Sequence, residues 1–451
     1  MKSHPAGFYV LWFTEMWERL SFYLMRALCV LYMVGPLGMN KAQALEWFGL
    51  YQGAVYLTPL AGGMLADRKI GIKRAVVLGA LIMVAGHLVM TIEHKMALLG
   101  AMALLALGGG LFKPNMQALL SGLYPPGDER HDRAFGMFYV AINAGALLAP
   151  IFGHLLQRRY GWGMAFGFAG VGMCAGLAVF LVFNRYIVDC RSTLTAATGV
   201  PLDPEAAPPF RPEDPPDTGR RVAAVVGCSL LASLFWAVFY SDGGTLTLWA
   251  VESVRGAADK AALTAAINPA CILLLTTPIA WGLAAWGRRR GRTVSTATKM
   301  LLGFISAACA CGLLVAGAGG SAKDVSVAWL AGFYLLITVG ELLINPMGTA
   351  LVAKIAPPRW KSFLLGVWLL SSSLGSTLSG ELGRLWPHLS HSAYFAVLLG
   401  LPLCSASALL LLWGPLSEVL RQTELGARRT LEPQPRRGAR LQLLRGERKA
   451  A

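Results

Sequence analysis

Apolar stretches long enough to cross a bilayer recur along almost the whole chain, separated by short polar turns. A hydrocarbon core about 30 Å thick needs about 20 helical residues. By that measure the runs lie near 7–34, 47–66, 75–94, 97–123, 134–157, 161–184, 222–250, 263–286, 296–318, 326–353, 361–385 and 392–416. The pattern predicts an all-α membrane protein of about 12 transmembrane helices. The first run is too long, and too interrupted by acids and bases, to be a cleavable signal peptide. Between Arg185 and Arg221 the pattern fails: Pro201, Pro204, Pro208, Pro209, Pro212, Pro215 and Pro216 stand among acids. Such a stretch buries no core and is expected to be extended. The chain therefore divides into a six-helix bundle over 1–185, a Pro-rich linker over 186–221, a second six-helix bundle over 222–416 and a basic tail over 417–451.

Charges break the apolar pattern most sharply in the first run. At about 100° per residue, Glu15, Glu18, Arg19, Phe22 and Arg26 fall on one side of a helix. A charge at the bilayer centre costs about 2.5–3.5 kcal/mol on the translocon insertion scale. Two acids and two bases on one stripe therefore need partners and a polar interior to face. The stripe is either a set of mutually neutralising ion pairs or a proton- or substrate-handling path, and intramembrane ionisable residues favour the path.

Composition agrees with the membrane setting: only 14% of residues are charged, against about 25% in soluble domains. The formal charge of +16 does not point to nucleic acid, because the basic residues gather in every second loop. Arg68, Lys69, Lys73 and Arg74 lie in one such loop, Arg130 and Arg133 in another, and Arg288, Arg289, Arg290 and Arg292 in a third. The positive-inside rule then places both termini and the linker in the cytoplasm of a cell-membrane protein. The tail is a solvated segment able to touch anionic lipid. The cysteines Cys29, Cys174, Cys228, Cys271, Cys309, Cys311 and Cys404 fall in the spans, and Cys190 in a loop. They read as small packing residues rather than a disulfide framework. No phosphate-binding Gly loop, zinc pattern or nucleophile elbow is present, so neither an enzyme nor an ATP-driven pump is expected. No cofactor or metal site is expected either. His87, His94, His131, His154, His388 and His391 share no face and receive no role.

Several segments resemble one family. Glu15-Met-Trp-Glu18-Arg19-Leu-Ser-Phe-Tyr23 is similar to the Glu-x-x-Glu-Arg motif of the proton-dependent oligopeptide transporter (POT) family. Val55-Tyr56-Leu-Thr-Pro, Gly108-Gly-Gly-Leu-Phe-Lys113-Pro-Asn115 and Phe138-Tyr-Val-Ala-Ile-Asn143 follow in the family's order. The second half adds Phe235-Trp236, Ile267-Asn268-Pro269, Gly340-Glu341 through Pro346, and Gly366-Val-Trp368-Leu-Leu-Ser371. Two equal halves with a cytoplasmic linker also match the major facilitator superfamily fold, in which both halves face a central cavity.

The resemblance implies a monomeric, proton-coupled symporter of di- and tripeptides working by alternating access. It implies that Glu15, Glu18 and Arg19 take part in proton coupling. Arg19, Lys113 and Asn143 would meet a peptide's carboxyl end, and Glu341 its amino end and the span 4 lysine. Tyr23, Tyr56, Asn268, Trp368 and Ser371 would line the pocket. Arg26 resembles a gate arginine, and Gly62 through Asp67-Arg68 resembles a gating loop, although a Gly turn capped by Asp67 is an equal reading.

One departure stands out. Where the family carries a glutamate in span 7, this chain reads Phe235-Trp-Ala-Val-Phe-Tyr240-Ser241-Asp242. Asp242 lies about 200° around an ideal helix from Tyr240 and reaches Arg26 only if Gly243-Gly244 breaks the helix. That departure keeps a second reading open: a carrier of another peptide-like or organic-anion solute with altered or absent proton coupling.

Overall fold

In a computed structural model of the chain, residues 3–125, 128–187, 217–291, 294–320, 324–357 and 360–419 are described. The first six spans are α1 (Ala6–Val34), α2 (Lys41–Leu65), α3 (Ile72–Val89), α4 (Lys95–Gly122), α5 (Arg130–Tyr160) and α6 (Trp162–Val182). The seventh is split into α7 (Thr218–Phe239) and α8 (Thr245–Ser253). A 3-10 segment, Ala258–Ala266, leads into α9 (Ile267–Arg289), followed by α10 (Thr296–Ala318), α11 (Val327–Ile355), α12 (Lys361–Gly383) and α13 (His391–Leu411). The sequence expectation of an all-α membrane fold is met. The positions expected for most of the linker and for the tail beyond Val419 lie outside the described residues.

Ten of the described helices are long and apolar enough to cross a membrane. α1 and α2, at 29 and 25 residues, are long enough but more polar. They can span only by turning those polar groups inward, and Glu15, Glu18, Arg19, Arg26 and Gln52 are all buried.

Helices α1, α3, α4, α5 and α6 pack chiefly on one another, with α1 on α5 and α6 and α3 on α4 and α6. In the second half, α10 packs on α11 and α13, and α7 on α12 and α13. Between the halves, α2 crosses α12, and α5 meets α9 and the 3-10 segment before it. The α2–α12 crossing lies near the α1–α2 turn, where Gly49 meets Gly380 and Leu45 meets Gly383. Close backbone approach through small residues is the usual device for joining helices in lipid, where no hydrophobic driving force acts between them.

Two expectations need correction. The seventh run is not one continuous helix: α7 stops at Phe239, and residues 240–244 form a turn. Gly62 and Gly63 do not make a tight turn either. They lie inside α2, which continues through a π-helical turn, Ala66–Ile70, carrying Asp67 and Arg68. The turn is closed instead by Gly71, at φ 85°. Of the cysteines, Cys29, Cys228 and Cys311 are buried packing residues, whereas Cys174, Cys309 and Cys404 face outward.

Candidate functional site

The charged stripe of α1 folds onto itself. Arg19 Nε lies 3.0 Å from Glu15 Oε1, one turn back on the helix, and Arg19 Nη2 is also paired with Glu18. All three are buried. A lone buried charge is costly, so the guanidinium between two carboxylates is what makes this stripe tolerable. α5 makes room for it: a Cβ at Gly145 would lie 2.6 Å from Met16 O and 2.9 Å from Arg19 Cβ. From α4, Lys113 brings its ammonium over the Phe22 ring (4.3 Å) and the Tyr56 ring (5.7 Å). The next residue, Pro114, cannot donate to the helix, which leaves the Gly110 carbonyl without its usual partner beside Lys113.

A second cluster stands on α9 and α11. Asn268 Nδ2 donates to Glu341 Oε2 and to Thr338 Oγ1, both at 2.9 Å. Thr338 in turn donates to the Tyr334 carbonyl at 2.7 Å. Tyr334, Thr338 and Glu341 follow at intervals of four and three residues, so they share one face of α11. Tyr23 lies within electrostatic range of Arg19, Arg26, Tyr56 and Glu341. Lys113 and Glu341 form no ion pair with each other; the lysine faces aromatic rings and the glutamate accepts from Asn268.

The break in span 7 brings a third group together. Past Phe239 the backbone tightens, with Ser241 N donating to Val238 O and Asp242 N to Phe239 O. This re-aims Asp242, whose Oδ2 lies 3.2 Å from Arg26 Nη2. The Tyr334 hydroxyl donates to the other carboxylate oxygen. Tyr240 is not displaced by the change: the Arg26 guanidinium lies 5.9 Å from its ring centroid, and Tyr240 stacks near Tyr56 at 5.3 Å.

Other expected pocket residues make hydrogen bonds within their own helices. Asn143 donates to Tyr139 O at 2.9 Å within α5, and Ser371 donates to Trp368 O at 2.6 Å within α12. Trp368 packs against Gly348, seven residues along α11 from Glu341 and so about 10 Å away along the axis. Asp67 is half-buried and Arg68 exposed, at the far end of α2 from the Arg26–Asp242 pair.

The family model described as PTR2, POT family, matches residues 73–192 and 210–394. The chain belongs to the POT family. A dipeptide and tripeptide permease A of Erwinia pyrifoliae is 30% identical, over 85% of this chain and 86% of its own. An uncharacterized transporter of Bacillus subtilis, YclF, is 28% identical over 92% of this chain and 94% of its own. Among solved structures, a peptide transporter POT in complex with sulfate superposes with a TM-score of 0.82 at 28% identity, covering 92% of this chain and 96% of that one. A POT family transporter in complex with 5-aminolevulinic acid gives a TM-score of 0.81 at 26% identity, over 91% and 96% of the two chains. A POT-family chain is a multi-pass membrane transporter and not an enzyme.

Three residues of this POT-family site escaped the sequence reading. Phe22 stood on the charged stripe but was given no role of its own, whereas its ring takes the Lys113 ammonium. Thr338 and Tyr334 lie in an apolar helix, where a threonine and a tyrosine look like packing residues. The spacing from Glu341 was the one available signal, since i−3 and i−7 put both on its face.

Proposed function

We propose that the protein is a proton-coupled symporter of di- and tripeptides working by alternating access between two six-helix bundles, residues 1–185 and 222–416. The observation that carries this reading is the separation of charge across the interior. Arg19 and Lys113 stand on α1 and α4, Glu341 with Asn268 stands on α11 and α9, and Tyr23 lies within range of both sides. A short peptide is a zwitterion and matches that polarity end to end. Arg19, Lys113 and Asn143 receive its carboxylate, and Glu341 its amino group. Tyr23, Tyr56, Asn268, Trp368 and Ser371 line the space between.

Proton coupling follows from the arginine's two carboxylate partners. Arg19 is shared between Glu15 and Glu18. When Arg19 turns to a substrate carboxylate, a buried acid left behind relieves its isolation by taking a proton. Arg26, Asp242 and Tyr240 form the outer gate, and the Asp67-Arg68 turn belongs to the inner one. The basic loops face the cytoplasm, as do both termini, which makes the α1–α2 turn extracellular and puts the α2–α12 crossing toward the outer side. The protein acts as a monomer in the plasma or inner membrane.

One observation favours a second substrate class. The similar POT family transporter in complex with 5-aminolevulinic acid holds a solute that carries an amine and a carboxylate without a peptide bond. The same polarity in this chain would accept such a solute. Uptake of labelled dipeptide into proteoliposomes, with and without an inward proton gradient, tests the proposal. Gradient-stimulated uptake that unlabelled 5-aminolevulinic acid does not suppress supports peptide symport. Uptake indifferent to the gradient removes the coupling, and no dipeptide uptake removes the substrate.

A further inference from the structure

We propose that His87 is a proton-binding residue of the transport cycle, serving as an alternative counter-charge for Glu18. The proposal rests on the proton-coupled reading above. His87 lies in the last turn of an apolar helix, α3, and is fully buried. Neither ring nitrogen has a hydrogen-bond partner. A neutral imidazole carries one N–H and one lone pair, and burying both unmatched is unfavourable unless the ring has another use. His87 does not face lipid. It lines a narrow internal cleft with Glu18 and Phe22 of α1, Tyr51 of α2, Met83 of its own helix and Lys113 of α4.

The groups facing that cleft decide what a proton there would do. α3 packs chiefly on α4 and α6. From α4 the facing ionisable group is Lys113; from α1 it is Glu18, and from α2 Tyr51. α6 presents Gly170 to the base of the His87 side chain and no ionisable group there. Lys113, and Arg19 beyond it, oppose a second cation, whereas Glu18 favours one. With Glu18 paired to Arg19, the balance keeps the imidazole neutral. Once a substrate carboxylate draws Arg19 away, Glu18 loses its cation and the balance reverses. A proton arriving at the Glu18 carboxyl then has a second residence. The O–H bond breaks, the free His87 nitrogen gains the N–H, and a carboxylate–imidazolium pair remains. The proton is held in the N-terminal half without Arg19 having to return.

The test is His87→Gln, with His87→Met as a second variant that keeps volume and lacks a polar group. Both are reconstituted beside the parent and Glu18→Gln. Two quantities are read: dipeptide uptake against external pH under an inward proton gradient, and dipeptide counterflow at equal pH on both sides, which needs no net proton movement. The expected result is counterflow within about twofold of the parent in both variants, with the pH profile of driven uptake displaced by about one unit or more. A pH profile superimposable on the parent overturns the proposal. So does a parallel loss of uptake and counterflow in both variants, which makes His87 a packing residue. A parent that ignores the proton gradient removes the coupling itself, a failure distinct from a gradient-driven parent matched by its His87 variants.

Discussion

Arg26 and Tyr334 approach Asp242 from different halves of the molecule, one with a charge and one with a hydroxyl. Removing the hydroxyl leaves the carboxylate a single partner in a buried site. Losing a hydrogen bond to a charged group costs about 1.5–3 kcal/mol. Tyr334→Phe is therefore expected to lower the melting temperature of the detergent-solubilised protein, and Asp242→Asn to lower it at least as much; an unchanged melting curve for Tyr334→Phe would show the bond contributes nothing. At the proposed pocket, Lys113→Ala and Glu341→Gln should each cut dipeptide uptake severely in protein that stays monodisperse, because each removes one pole of the dipole. Undiminished uptake by either would detach that residue from substrate. Residue by residue, the charged positions were legible because an ion in an apolar run is conspicuous. Asp242 was legible only as a condition, since its reach depends on a backbone break. Tyr334 and Thr338 were not legible, because in a membrane helix the same side chains pack, face lipid or bond, and only the partner tells them apart.

At the scale of the element, length alone marked the spans, because lipid leaves a backbone little choice but helix. What length could not mark was where span 7 stops being one helix. Gly243-Gly244 was the hint, and the reason is steric: a Cβ at Gly243 would lie 2.8 Å from Phe48 Cζ of α2, and that ring is buried. The turn is thus held by a helix of the other half as well as by its own residues. Forcing extra atoms into a packed contact costs about 1–3 kcal/mol. Gly243→Val should weaken the closure at this end by that amount, and Gly243→Ala by less. The check is reagent accessibility of a cysteine placed at Gly38 or at the buried Ser241 in a cysteine-free background. Accessibility at Ser241 should rise in Gly243→Val, while that at Gly38, already exposed, should not change. Equal protection of Ser241 in parent and variant would mean that Phe48 gives way without opening the turn. The π-helical turn at Ala66–Ile70 was equally invisible beforehand, since an extra residue in a helical turn leaves no mark on an apolar pattern.

Across the whole molecule, the sequence pointed to two halves with a charge asymmetry between them, but not to where helices of the two meet. That depends on the α2–α12 crossing and on a polar tie above it. Lys41 Nζ of α2 lies 2.9 Å from Glu252 Oε1 of α8, and His391 Nε2 of α13 lies 3.1 Å from Glu252 Oε2. Trp386 stacks on the histidine with centroids 4.5 Å apart. Burial alone would push the Glu252 carboxyl up, but the hydrogen bonds from His391 and Lys41 outweigh it and hold its pKa below the ordinary carboxylate value. The sign follows. A carboxyl held low in the closed form contributes its closure fully above the ordinary value of about 4.3 and loses it only as pH falls through the lower, closed-form value. External protons at pH 5–7 therefore do not open this tie through Glu252, and drive the cycle, if they drive it, from deeper in the protein. A partly exposed ion pair contributes about 0–1 kcal/mol, or up to about fivefold in a population. Spin labels at Gly38 and His388, both exposed on this end, should give the same distance distribution from pH 7.5 to 5.5 in the parent. Glu252→Gln should shift that distribution toward longer distances at every pH, and the parent should approach it only below the ordinary carboxylate range. A parent distribution that already lengthens between pH 7 and 5.5, and does so equally in Glu252→Gln, would place the acid-sensitive closure elsewhere and leave Glu252 a bystander.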